Sequence, residues 1–212
     1  MKIACLVDGF NIYHSLCEAV AAGAPTAIKW QDLKALCQSH LGAFNNKDAH
    51  LTDLFYFTSL AVYRKDTAVI RHKAYIKALE MTGFQISYGN FKDKTVRCEA
   101  ACRQEYTAHV EKQTDVNIAL KLLELFHLDD CDGCLIVSGD GDLLSAVKTA
   151  RRLFPSKVVA VAFPLNRWNH ELSISAQVRI KLTIEDYKKH ILPDPMPLAA
   201  GKVSHMPREW KA

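Results

Sequence analysis

The sequence predicts an α/β fold, a three-layer αβα sandwich around a central, mostly parallel sheet. Short apolar runs alternate with amphipathic helical patterns along the chain, which is the signature of βαβ units. The runs Ile3-Ala4-Cys5-Leu6-Val7, Leu135-Ile136-Val137 and Val158 to Phe163 are apolar at successive positions, as strands buried on both faces should be. Aspartates follow two of them: Asp8 after the first, and Asp140 and Asp142 after Leu135-Ile136-Val137-Ser138-Gly139. Open α/β sheets bind ligands at that end of their strands.

Each element follows from a local pattern. Residues 3–7 read as the first strand, and the turn Asp8-Gly9-Phe10-Asn11 leads into a helix over 11–22 that Gly23-Ala24-Pro25 ends. Asp32 to His40 reads as a second helix. Within Leu51 to Tyr63, the run Leu54-Phe55-Tyr56-Phe57 suits a central strand, because aromatic side chains pack well on a pleated surface. The spacing of Val69, Ile70, Tyr75, Ile76 and Leu79 predicts a helix over about 66–82, stopped at Gly83 and followed by a strand at 84–88.

Residues 90–112 are polar, rich in Lys, Arg and Cys, and lack a clean period, so they read as an excursion near the sheet edge. On the helix that follows, over about 114–127, Asp115, Ala119, Leu122 and Phe126 keep helical spacing, which puts Asp115 on or beside the buried face. A strand at Leu135 to Val137, a helix from Leu143 to Leu153 and a strand at Val158 to Phe163 continue the alternation. Short helical turns are expected at 169–175 and 184–191. One domain over 1–190 is expected, with 191–212, which carries Pro193, Pro195 and Pro197, as an extended or disordered tail.

With 212 residues, 49% of them hydrophobic, the chain is long enough for one well-buried domain. A net charge of +4 and a pI near 8.6 do not mark the whole chain as a nucleic-acid binder, so local charge must decide. No apolar run approaches the roughly 18 residues that cross a bilayer, and Met1-Lys2 leads into a strand without a signal-peptide pattern. A soluble cytoplasmic protein without membrane contact is expected. The seven cysteines are odd in number, and Cys5, Cys17, Cys37 and Cys134 lie in apolar segments, as reduced cysteines do.

If the strands are parallel neighbours, Asp8, Asp115, Asp140 and Asp142 converge on one sheet edge. Clustered carboxylates repel unless a divalent cation neutralises them. Mg2+ and Mn2+ favour carboxylate and water oxygens, and such ions activate water and stabilise charge on a scissile phosphate. The pattern predicts metal-dependent phosphoryl transfer with these four aspartates as ligands and catalytic groups. Helix capping is the bland alternative for Asp115, Asp140 and Asp142. It accounts least well for Asp8, which ends a strand. Asn11 and Ser138 are candidates to orient a carboxylate, a water or a phosphate oxygen, against plain turn and N-cap chemistry.

Three segments resemble the NYN domain family. Asp8-Gly9-Phe10-Asn11 looks like its D-G-x-N opening, Glu111-Lys112-Gln113-Thr114-Asp115-Val116-Asn117 like its E-K-x-x-D-V centre, and Ser138-Gly139-Asp140-Gly141-Asp142 like its S-G-D-x-D signature. The resemblance covers about residues 1–190. It implies a PIN-like, Rossmann-like nuclease fold, a Mg2+ or Mn2+ site at Asp8, Asp115, Asp140 and Asp142 with Asn11 beside it, and RNA as the usual substrate class. Some bacterial relatives are instead labelled hydroxylases of pyridine-type small molecules, although no G-x-G-x-x-G follows a strand here. A catalytically silent RNA- or protein-binding module is a further alternative.

An RNA substrate, single-stranded or structured, requires cations beside the acids. One cluster is Arg64, Lys65, Arg71, His72, Lys73 and Lys77, which also reads as a solvated helix face. The other is Lys92, Lys94, Arg97 and Arg103, with Tyr88, Phe91 and Tyr106 placed to stack bases. Arg167, Trp168, Asn169 and His170 follow the last strand and read chiefly as a helix start with Trp168 packed down. Cys98-x3-Cys102 with His109, or with Cys131-x2-Cys134, has the ligand types of a structural Zn2+ site, but the spacing is a weak signal. A homodimer is left open.

Overall fold

The computed structural model describes residues 1–61, 63, 66–98, 103–198 and 201–211. Its first half runs through β1 (Lys2–Asp8), α1 (Gly9–Ala21), α2 (Leu33–Ser39), β2 (His50–Thr58), α3 (Asp66–Met81) and β3 (Phe84–Tyr88). A pair of strands, β4 (Asn90–Arg97) and β5 (Glu105–Lys112), leads to α4 (Thr114–His127). Then come β6 (Gly133–Val137), α5 (Leu144–Leu153), β7 (Val158–Phe163), α6 (His170–Ser175), β8 (Val178–Lys181), α7 (Ile184–Lys189), β9 (Met196–Pro197) and β10 (Val203–Ser204).

Six strands form one sheet in the order β3-β2-β1-β6-β7-β8, with every neighbouring pair parallel. β1 is apolar from Ile3 to Val7 because it lies in the middle with both faces covered, and these five residues are fully buried. Alternate residues serve the two faces. Ile3, Cys5 and Val7 join Leu16, Leu33 and Leu79 in one core, while Ala4 and Leu6 join Ile118, Leu122 and Val147 in the other. The result is the three-layer αβα sandwich expected. The strand order proceeds from β1 through β2 to β3 and restarts on the other side of β1 with β6. That reversal opens a crevice beyond the carboxyl ends of β1 and β6.

Three segments differ from the expectations. β8 is a sixth strand, at the sheet edge, and only Ile180 of its four residues is buried, which leaves too short an apolar signal to read. Residues 90–112 form an antiparallel ribbon, with Asn90 opposite Lys112 and Arg97 opposite Glu105, separate from the main sheet. β4 is mostly exposed, so its pattern carries no apolar alternation.

The expectation of an extended or disordered tail after residue 190 is overturned. Leu192, Met196, Met206 and Trp210 are buried in the core that holds α1 to α3, and β9 pairs with β10. The Trp30 indole donates to the Pro193 carbonyl (3.2 Å), and the Trp210 ring lies 6.3 Å from that of Trp30 and 6.2 Å from that of Tyr75. Single apolar residues among prolines look like a linker in sequence, yet each is buried in this core. Trp210→Phe should therefore lower stability by about 1 kcal/mol through loss of packing, whereas an unchanged urea midpoint would mean that the segment is not part of the core. Among the described residues, no helix is long and apolar enough to cross a membrane.

Candidate metal centre

The crevice between β1 and β6 gathers carboxylates from three parts of the chain. Asp8 is the last residue of β1, Asp115 lies in the first turn of α4, and Asp140 follows β6 in the turn that precedes α5. One oxygen from each lies within 4.8 Å of the others. Asp142 is not part of this convergence. It sits exposed on the rim, where its charge raises the pKa of Asp115 after burial and Asp140 have done so.

Backbone and side-chain hydrogen bonds lock the turn. The Asn11 amide donates to Asp8 Oδ1 (3.0 Å), and Ser138 Oγ donates to Asp8 Oδ2 (2.8 Å). The Asp140 amide donates to Ser138 Oγ (3.1 Å), and the Asp142 amide to Asp140 Oδ1 (2.9 Å). Asn11 Oδ1 accepts from the Gly139 amide (3.0 Å), which ties the start of α1 to the turn after β6. Capping is thus distributed differently from the expectation: Asp8 caps α1 and Asp140 caps the turn at Gly141, while Asp115 has no capping role. A carboxylate oxygen has two lone pairs, so capping leaves room for a ligand.

Gly139 is required by close approach. A Cβ there would overlap the Arg167 carbonyl, because the loop after β7 lies directly on the turn. In that loop Asn169 caps α6, and Trp168 packs on Phe163 (4.5 Å between centroids) beneath Lys181. The loop therefore braces the site from outside. Gly139→Ala should displace the turn and weaken Mn2+ binding by about tenfold, as loss of supporting contacts around a metal commonly does; calorimetric titration showing wild-type affinity would contradict it.

The electrostatics fit a divalent cation. Asp8 is only 4% exposed. Burial pushes its carboxyl up to about 6, against the Asn11 amide and Ser138 hydroxyl that lower it, and the Asp115 and Asp140 charges raise it further. Among the described residues none of the three carboxylates forms an ion pair with a basic side chain. Three converging hard oxygen donors without a cationic partner suit a hard divalent cation in their donor chemistry.

Glu111, in the segment Glu111 to Asn117, escaped notice as a site residue. Its Oε1 accepts from Ser59 Oγ (2.9 Å) and from Thr114 Oγ1, and burial raises its pKa, with Asp115 adding to the rise. Its position four residues before Asp115 was the available signal.

The basic residues are less concentrated than the acids. Phe91 and His109 lie on the ribbon face that packs on Phe10 and Tyr63, so strand alternation turns Lys92 and Lys94 to the opposite face. Arg97 lies seven residues up the ribbon, roughly 24 Å from its base, with Arg103 just before β5. Arg71 pairs with Glu209 (2.8 Å). Arg64, Lys65 and Cys102 lie outside the described residues. The zinc expectation fails for Cys98 and His109: His109 binds Asp93 (2.7 Å), and Cys98 is five residues, roughly 17 Å, farther along the ribbon, whereas two ligands of one Zn2+ lie within about 4 Å of each other. Cys131 and Cys134 lie together (3.7 Å) and buried, without a third ligand among the described residues.

The family model described as the NYN domain matches residues 2–182. A comparison with curated proteins found no match. A solved structure of a protein of unknown function from Vibrio parahaemolyticus RIMD 2210633 is similar in fold, with a TM-score of 0.52 and 20% identity, over 90% of this chain and 96% of that one.

Proposed function

The chain belongs to the NYN domain family, and from that premise we propose that it is a Mg2+- or Mn2+-dependent ribonuclease that hydrolyses RNA phosphodiester bonds. The observation that carries this reading is the convergence of Asp8, Asp115 and Asp140 at the strand-order reversal. These three side chains would hold the cation. A divalent ion there supplies an activated water and offsets the charge that builds on the phosphodiester.

The chain's own residues do the rest. Ser138 and the Asn11 amide hold Asp8 in one rotamer with its two oxygens directed. Asn11 keeps the turn after β6 at a fixed distance from α1. Asp142, exposed on the rim, would orient water outside the inner ligand set. The amino ends of α1 and α4 face the same crevice and favour a phosphate there. Arg97, on the aromatic face of the ribbon, and Arg103 would follow the RNA backbone as screened surface contacts, whereas Lys92 and Lys94 on the opposite face would not reach it.

The test is cleavage of end-labelled single-stranded RNA by the full chain. Product is expected with Mn2+ or Mg2+ and none with EDTA. RNA retained by the protein, with no product under any divalent metal, would overturn the enzyme and leave a binding module; substrate-dependent NADH consumption with a pyridine-type compound would point to a hydroxylase.

A further inference from the structure

A cavity of about 100 Å3 opens beside the metal centre, between α1 and α3, with Tyr56 and Thr58 of β2 as its floor. Resting on the ribonuclease reading, we infer that this cavity seats one pyrimidine base of the RNA, next to the phosphate that is cut. Its walls are rings: Phe10 and Tyr13 on α1, Tyr56 beneath, and Tyr63 at the mouth. Phe10 meets Phe91 of the ribbon (5.8 Å between centroids, 85°), and Tyr63 stacks on His109 (3.7 Å, 17°), so the ribbon's aromatic face forms the lip. Single-stranded bases bind by stacking on such rings, worth about 1–3 kcal/mol each.

The polar groups match the edge of a base and not a phosphate. Thr58 Oγ1 and His72 Nε2 lie 3.2 Å apart at the inner wall. Burial pushes the His72 imidazole down to about 4, so at neutral pH it carries no charge, and with Nε2 hydrogen-bonded to Thr58 its Nδ1 is the atom left to meet the edge of a base. Among the described residues Arg71 is the only Lys or Arg on the wall, and Glu209 holds it at 2.8 Å. The described wall therefore offers an anion His14 and an Arg71 already paired with Glu209, while an uncharged heteroaromatic ring finds both stacking and hydrogen bonds.

Size and position choose the ring and its attachment. An apolar cavity of about 150 Å3 encloses benzene, so one of about 100 Å3 excludes the two rings of a purine and takes a single ring only with part of it in the open side, which leaves the sugar outside. Gly9 forms part of the wall and directly follows Asp8. A base seated here leaves its own phosphate at the carboxylates.

The test uses the full chain and the nucleosides uridine and adenosine, without phosphate and in EDTA, so that the metal centre takes no part. Ligand-observed NMR should show uridine bound more tightly than adenosine. Ala68→Trp, which fills the cavity from α3, and His72→Phe, which removes the polar edge, should each weaken uridine by at least about tenfold, the loss of one base contact. In Mn2+, oligouridylate should be cut faster than oligoadenylate, with the difference lost in Ala68→Trp. Uridine binding that is absent or unaffected by both variants overturns the inference, as does tighter binding of a pyridine-type ring lacking ribose. If wild type still cuts RNA in that case, the nuclease reading stands alone. Uridine held in the cavity with no cleavage under any metal removes the nuclease and keeps the base site.

Discussion

Asp140→Asn is expected to reduce RNA cleavage by on the order of 10^3-fold, about 4 kcal/mol of barrier, with the fold unchanged. Asparagine keeps an oxygen that can still accept the Asp142 amide, so the turn after β6 survives. What disappears is one of the three proposed anionic ligands, and with it charge stabilisation worth several kcal/mol in the transition state. Removing that charge also relieves Asp115 and Asp8, whose pKa values it raises. Initial rates in Mn2+, beside urea unfolding of both proteins, make the measurement. Equal rates would place the activity at another site or in a contaminant.

Asp8→Asn is expected to act on activity and stability in opposite directions. Cleavage should fall as for Asp140→Asn, but the metal-free protein should become more stable at neutral pH. The folded carboxyl titrates near 6 against an ordinary value of 3.8, so between these values the native state holds a proton that the unfolded state has lost. Stability therefore falls as pH rises from about 4 through 6, by about 3 kcal/mol from this group. Asparagine has no such charge, though the hydrogen bond with Ser138 must reverse at a loss of about 1 kcal/mol. The net gain at pH 7 in EDTA should be about 2 kcal/mol, disappearing below pH 4 and countered by Mn2+, which stabilises only wild type. A variant less stable than wild type at pH 7 in EDTA would mean that Asp8 serves chiefly as the cap of α1.

Most of the sheet was legible because its strands are buried on both faces and read as unbroken apolar runs, as at Ile3 to Val7 and Val158 to Phe163. β8 was not, since an edge strand with one buried residue has no such run. Asp8, Asp115 and Asp140 were legible as strand and helix ends, and parallel pairing of β1 with β6 brings Asp8 and Asp140 to the same edge. Which of them caps a helix was not, because capping depends on where a single amide points. The cavity was invisible for a different reason. Phe10, Tyr56, Thr58 and His72 come from three elements, and no spacing along the chain relates one element's residues to another's. The folded segment after residue 190 was hidden by its prolines.

β1 occupies the middle of the sheet and is also the first strand to be made. Its neighbour β6 is synthesised roughly 130 residues later, on the order of ten seconds at about 5–20 residues per second. For that interval one edge of Ile3-Ala4-Cys5-Leu6-Val7 has no native partner, and an apolar open edge is where chains aggregate. The same delay keeps the three carboxylates apart until translation is well advanced. The candidate metal centre is thus complete only late in the birth of this protein, once Asp140 has joined Asp8 and Asp115.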